Sequence, residues 1–197
     1  MLDKKTKVLS PVGTYEAFIA ALKAGADEVY FGSEKFNARR FAKGITDEEM
    51  KSMIELAKLY GIKLCMTVNI ILDDKEVVDA LFLIEEYRNM GVDAFIITDL
   101  GLISLVKKYL PDVEVHASTQ LNIANLSSID WAIENGCQRA AISREKDYRF
   151  LEEASDEYVG LEAFVHGALG YAVSSQCLIS SLMGKRTGNR STCAQRC

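Results

Sequence analysis

Gly61-Ile-Lys-Leu-Cys-Met-Thr-Val68, preceded by Thr46-Asp-Glu-Glu49 and an apolar stripe of Met50, Met53, Ile54 and Ala57, decides the fold. Thr46 and Glu49 spell a capping box, in which hydroxyl and carboxylate each satisfy a backbone donor at a helix start. The stripe recurs at helical spacing. Gly61 suits the left-handed position just past a helix end, where a side chain would be strained. The run after it is short and nearly all apolar, as in a parallel strand covered on both faces.

The same unit recurs on either side. Gly25-Ala-Asp-Glu-Val-Tyr-Phe31 follows a helix starting near Thr14, and Gly91-Val-Asp-Ala-Phe-Ile-Ile97 and Gly136-Cys-Gln-Arg-Ala-Ala-Ile142 repeat the pattern. Strands are expected near 7–10, 27–32, 63–68, 93–97, 113–116, 139–142 and 160–165, with helices between them. Such alternation means right-handed βαβ units in an α/β fold. Seven strands exceed most doubly wound sheets of this length, and no Gly-x-Gly-x-x-Gly follows the first strand. The expectation is a (β/α) TIM-like barrel. Barrels of this kind usually need ~250 residues, so at 197 residues this one is expected to be incomplete at its C-terminus. An unclosed barrel leaves an open strand edge, which favours association. Residues 1–169 read as the barrel portion, and 170–197 as a cysteine-bearing segment attached to it.

With 49% hydrophobic and 26% charged residues and two prolines, the chain is globular rather than disordered. A net charge of −5 gives no general attraction to nucleic acid, although Lys185, Arg186, Arg190 and Arg196 make the tail basic. No apolar run approaches the ~18 residues of a membrane helix, and no apolar signal core follows the charged start. These features point to a cytoplasmic protein with reduced thiols. An odd cysteine count, five, also fits a disulfide framework poorly. Cys65 and Cys137 read as small buried hydrophobes.

In a parallel α/β barrel, function gathers where the strands end. Gly32 and Ser33 lead to Asn37 and Arg39 after the second strand, Thr67 and Asn69 end the third, and Thr98 and Asp99 the fourth. His116, Ser118, Thr119, Gln120 and Asn122 follow the fifth strand, Ser143-Arg144-Glu145 the sixth, and His166-Gly167 the seventh. Asp99 reads equally as a helix cap, and His116 equally as a core histidine. His116, His166 and Glu145 are candidates for proton transfer. Asn37, Arg39, Thr119, Gln120 and Arg144 are candidates for substrate binding. The two arginines offer rigid donor forks for a carboxylate or phosphate, a structural salt bridge being the other reading of each. Neither a Gly-x-Ser-x-Gly elbow nor a His-Glu-x-x-His helix is present. Cys177, Cys193 and Cys197 lie on one Gly- and Ser-rich segment, the last two spaced by one helical turn. Such thiolates hold iron or zinc, or remain a reduced structural trio.

Glu162-x-Phe164-x-x-Gly167-Ala168-Leu169, followed by Cys177-Leu-Ile-Ser180, resembles the signature of the collagenase-like peptidase family U32. The likeness runs in order through Ser10-Pro-Val-Gly13, Gly25-Ala-Asp27, Phe36-Asn-Ala-Arg39, Asp99-Leu-Gly101, His116-Ala-Ser-Thr-Gln120, Gly188-Asn-Arg190 and Cys193-Ala-Gln-x-Cys197. It implies a barrel-like N-terminal domain that is usually continued by more chain. It also implies two competing activities. One is collagenase-type proteolysis; the other is hydroxylation of a tRNA uridine or a ribosomal cytidine, with further relatives serving ubiquinone hydroxylation. Several such proteins hold a 4Fe–4S cluster on four cysteines, and the RNA hydroxylases depend on prephenate. Three cluster positions match Cys177, Cys193 and Cys197, but Gly170 stands where the signature has cysteine and Ser175 where it has glycine. A glycine does not ligate iron, which leaves a three-thiolate cluster, a non-cysteine ligand or a lost site. The resemblance thus implies a fragment of an Fe–S-dependent tRNA or rRNA hydroxylation protein. Its alternatives are a collagenase-like peptidase and a non-catalytic member. Under the first reading Arg39 and Arg144 anchor an anionic small molecule, and the basic tail meets the RNA backbone.

Overall fold

The computed structural model describes residues 6–33, 35–38, 45–157, 160–167, 169–190 and 192–193. Arg39, Arg196 and Cys197 lie outside the described residues. Seven strands are present: β1 (Leu9–Pro11), β2 (Glu28–Gly32), β3 (Lys63–Val68), β4 (Ala94–Ile97), β5 (Glu114–Ala117), β6 (Arg139–Ala141) and β7 (Leu161–Glu162). Between them run α1 (Tyr15–Lys23), α2 (Asp47–Tyr60), α3 (Asp74–Met90), α4 (Leu100–Tyr109), α5 (Leu126–Glu134) and α6 (Tyr148–Glu157). A short α7 (Ile179–Gly184) lies in the cysteine-bearing segment.

The local signals read from the sequence are those that form. Thr46 Oγ1 accepts from the Glu49 amide at 3.3 Å, and the Glu49 carboxylate accepts from the Thr46 amide at 2.8 Å. Gly61 takes φ +68° and ends α2. All strands pair in parallel in the order β1 to β7. A doubly wound sheet reverses direction midway; this sheet never does. Eight strands close a TIM barrel, and among the described residues nothing pairs β7 with β1. The fold is an incomplete TIM-like barrel, with open edges on β1 and β7.

Two strands differ from expectation. β1 is shifted to include Pro11, which an edge strand tolerates because one side of its ladder needs no donor. β7 is two residues long where six were expected, because its partner β6 itself stops at Ala141. Beyond Glu162 the chain leaves the sheet, and Val165 is 98% exposed.

Outward-facing strand residues such as Val29, Leu64, Met66, Phe95, Ile97 and Val115 pack on Phe18, Met53, Ile84, Leu102 and Ile129 of the helices. Inward-facing Tyr30, Cys65, Ala94 and Ile96 form a second, smaller cluster with Leu9. Burial pushes the Cys65 thiol up to about 12 and the Cys137 thiol up to about 11, so both stay protonated hydrophobes.

At the strand starts the inward positions are charged. Glu28 is 0% exposed and accepts from both guanidinium nitrogens of Arg139, at 2.6 and 2.9 Å, and from Lys7 at 3.1 Å. Burial alone would raise its carboxyl, but Arg139 and Lys7 outweigh that and hold it at about 2. The pair reaches from β2 across the interior to β6, so it clasps the curled sheet.

Candidate functional site at the strand ends

The loops after the strands are laced to one another. Asn37 lies so close over Gly32 that a β-carbon there would stand 1.9 Å from its Nδ2; glycine is what admits Asn37 to this strand end. Asn69 Oδ1 accepts from the Ala38 amide at 3.0 Å, tying the β3 loop to the β2 loop. Asp99 does cap α4, accepting from the Leu102 amide at 2.9 Å, and its other oxygen accepts from the Leu72 amide at 3.2 Å. Ser143 Oγ donates to Asn122 Oδ1 at 2.7 Å, joining the loops after β5 and β6. Within this rim the hydroxyls of Thr98 and Thr119 are buried without a partner among the described residues. A buried hydroxyl left unpaired costs about 1–3 kcal/mol, so these two oxygens mark where a ligand would gain most.

On the β6 and β7 side the rim opens into a cleft of about 230 Å³, lined by Ser143, Arg144, Lys146, Phe164, His166 and Leu169 among others. The Arg144 guanidinium lies 4.3 Å over the Phe164 ring, a cation–π pair. Two cations and a histidine beside an aromatic face suit an anionic or ring-bearing ligand. Glu145, next in sequence, accepts from the Ser174 amide at 2.8 Å and its hydroxyl at 3.0 Å. Partial burial pushes its carboxyl up, but hydrogen bonds from its own amide and from Ser174, with Arg144 nearby, outweigh that and lower it. Glu145 is therefore an ionised acceptor at neutral pH.

His116 lies apart from this cleft. It sits inside β5, fully buried, with Nε2 2.7 Å from Glu114 Oε1. Burial lowers its pKa, and this outweighs the opposing effect of Glu114. The hydrogen bond from His116, with Lys63 on the other oxygen, overcomes burial and holds the Glu114 carboxyl at about 2. The imidazole is thus neutral with its proton on Nε2, and Nδ1 has no partner among the described residues. Its surroundings are those of a core histidine in the interior charge network, distant from the His166 group in role.

The cysteine-bearing segment folds back on the barrel. Cys177 is half-buried and Cys193 exposed, and Ser180 Oγ donates to Cys193 Sγ at 3.7 Å. Among the described residues no three His, Cys, Asp or Glu side chains gather as a metal-holding group. The two thiols suit iron or zinc in kind, and a third ligand, Cys197, lies outside the described residues. A β-carbon at Gly170 would meet nothing nearer than the Ala172 carbonyl at 3.8 Å, so that position has room for a ligand side chain.

One tie between distant segments was not read from the sequence. Arg190 places Nη2 at 2.6 and 2.8 Å from the two Glu76 oxygens, and Nη1 at 3.1 Å from the Ile71 carbonyl and 3.3 Å from Asp73. Asp73 and Glu76 form a capping box at the start of α3, and no local signal shows an arginine 114 residues away using it.

Fold and rim together define an incomplete α/β barrel with a cysteine-bearing segment at the strand ends. Residues 13–197 match the profile of Peptidase family U32, and the chain belongs to that family. It is 31% identical over 198 residues to the tRNA hydroxylation protein P1 of Bacillus subtilis, covering 100% of this chain and 47% of that one. It is 34% identical over 196 residues to a 23S rRNA 5-hydroxycytidine synthase of Escherichia coli, covering 98% and 29%. It is 33% identical over 204 residues to a collagenase of Porphyromonas gingivalis, covering 97% and 49%. The chain thus spans about half the length of these relatives or less. The solved structure of a U32 peptidase aligns with a TM-score of 0.67 at 12% identity, over 87% of this chain and 74% of that one. A thiamine phosphate pyrophosphorylase from Pyrococcus furiosus aligns at 0.55 and 15% identity, over 83% and 76%. At such identities the likeness is one of fold.

Proposed function

We propose that this chain is the barrel portion, 1–169, and cysteine-bearing segment, 170–197, of a cytoplasmic protein that hydroxylates a base of tRNA or rRNA. The observation carrying this reading is the rim cleft in which Arg144 lies over Phe164 beside His166. Relatives named for tRNA and rRNA hydroxylation support it, and none of the described helices is long and apolar enough to cross a membrane. Arg144, with Arg39, binds an anionic co-substrate of the prephenate class. Asn37, Thr119 and Gln120 line the substrate side of the rim. His166, exposed in the cleft, moves the proton; Glu145 stays ionised and holds Ser174. His116 acts from the interior, holding Glu114 at the start of β5, where that carboxylate also pairs with Lys63 of β3.

Cys177, Cys193 and Cys197 would hold an iron–sulfur centre, of the 4Fe–4S type that the family resemblance implies. Such a centre supplies one-electron chemistry at the strand ends. Anaerobic purification with iron and sulfide analysis tests the assignment: the chain should carry both, lose them in Cys177→Ser, and gain iron occupancy in Gly170→Cys. A colourless, iron-free protein that Gly170→Cys leaves unchanged would refute the cluster. The peptidase reading rests on the collagenase relative. Among the described residues no hydroxyl or thiol is hydrogen-bonded to either histidine, so no activated nucleophile supports it. Peptide cleavage abolished by His166→Ala would favour it instead.

A further inference from the structure

The cysteine-bearing segment is fastened at two points, each three residues before a cysteine. Ser174 donates its amide and hydroxyl to Glu145 ahead of Cys177. Arg190 grips Glu76, Asp73 and the Ile71 carbonyl ahead of Cys193. Glu145 lies in the loop after β6, and Glu76 in the first turn of α3, after β3. Two strands, β4 and β5, stand between those positions in the sheet. Parallel strands place both loops at one end of the barrel, so the segment crosses its mouth from side to side.

Internal bonds keep the distance between the fastenings fixed. Lys185 takes a left-handed φ of +51° past α7, and the Arg186 amide donates to the Ser180 carbonyl at 3.1 Å. Thr192 Oγ1 accepts from the Thr187 amide at 2.8 Å and donates to the Thr187 carbonyl at 3.0 Å. That ring of residues carries Arg190 and leads directly into Cys193. An ordinary exposed ion pair contributes ~0–1 kcal/mol. Arg190 does more, because its fork takes both oxygens of a carboxylate that the Asp73 amide already holds at 2.8 Å.

We propose that residues 174–190 form a strap pinned across the barrel mouth, and that Glu145 and the Arg190–Glu76 pair are positioning residues for Cys177 and Cys193. The positioning clause rests on the iron–sulfur reading above; the strap itself does not. Hydrogen exchange of the full chain, followed by mass spectrometry, reads the strap. In Glu145→Ala, Arg190→Ala and Glu76→Gln, peptides across 171–193 should exchange roughly tenfold faster, the effect of one charge-assisted bond. Glu76→Gln keeps a residue able to complete the capping box, so α3 and β5 peptides should not change. Arg190→Lys should fall between, since a point charge cannot bridge a carboxylate and a carbonyl together. Unchanged exchange across 171–193 in all variants would overturn the strap.

Anaerobic reconstitution with ferrous iron and sulfide reads the positioning. Iron bound per chain should fall in the same variants; faster exchange with undiminished iron would overturn that clause. If the unaltered chain takes up no iron, the cluster reading fails separately. Cobalt(II), a thiolate-binding ion with a visible charge-transfer band, then makes the same comparison between variants.

Discussion

Arg139 and Glu28 show how much one buried pair can govern. Arg139 holds both Glu28 oxygens, and removing it leaves a carboxylate at 0% exposure with Lys7 on one side only. Breaking a buried pair on one side costs about 3–5 kcal/mol, whereas replacing both partners by apolar groups is often neutral. We therefore expect Arg139→Met to lower unfolding free energy in urea by about 3 kcal/mol, and Glu28→Met with Arg139→Met to recover most of it. A loss below about 1 kcal/mol in the single variant would mean the pair is solvated. Neither residue stood out in the sequence. Glu28 follows a helix-ending glycine like any strand opener, and nothing local indicates a partner 111 residues away.

At the scale of the element, local chemistry was legible and its reach was not. Thr46-x-x-Glu49 and the glycines past the helix ends are contacts within a few residues, so the alternation of helix and strand could be read directly. Strand length depends on the neighbour, which is why β7 stops after Glu162. The rim was legible as a set of polar residues, but Asp99 and Asn122 turned out to tie loops together, and His116 to face the interior. Cys177, Cys193 and Cys197 were visible as a trio; the fastenings ahead of Cys177 and Cys193 were not. Two glycines test the element-level account. Gly160 has φ +89°, and a β-carbon there would stand 2.2 Å from the Gln138 backbone oxygen. Gly61 has φ +68° with open space around it. Gly160→Ala should cost more than about 2 kcal/mol and free β7, whereas Gly61→Ala should cost only about 1 kcal/mol. Equal shifts in thermal midpoint would contradict this.

The interior charges set how the whole molecule responds to acid. Glu28 and Glu114 are each held at about 2, below the ordinary value of 4.5. Between those values the unfolded chain binds protons that the folded chain refuses, so stability falls as pH drops through that window. Glu28 alone accounts for a loss on the order of 3 kcal/mol. His116 adds to it earlier: burial lowers its pKa, so the unfolded histidine protonates first as pH falls below about 6.5. Urea midpoints should therefore slope gently downward below pH 6.5 and steeply below 4.5. A flat profile down to pH 3 would show that the interior carboxylates are not held as described.

Each strand pairs with its neighbour in sequence, so the sheet grows by short loop closures, whereas the Glu28–Arg139 clasp joins β2 to β6 across 111 residues. Closing so long a span carries a large chain-entropy cost until the intervening strands are in place. We therefore expect the clasp to form after the rate-limiting step. Contacts absent from the transition state alter the rate of leaving the native state, not the rate of reaching it. We expect Arg139→Met to leave the refolding arm of a chevron unmoved and to accelerate unfolding. The clasp is a brake on opening, and the curled sheet assembles without it.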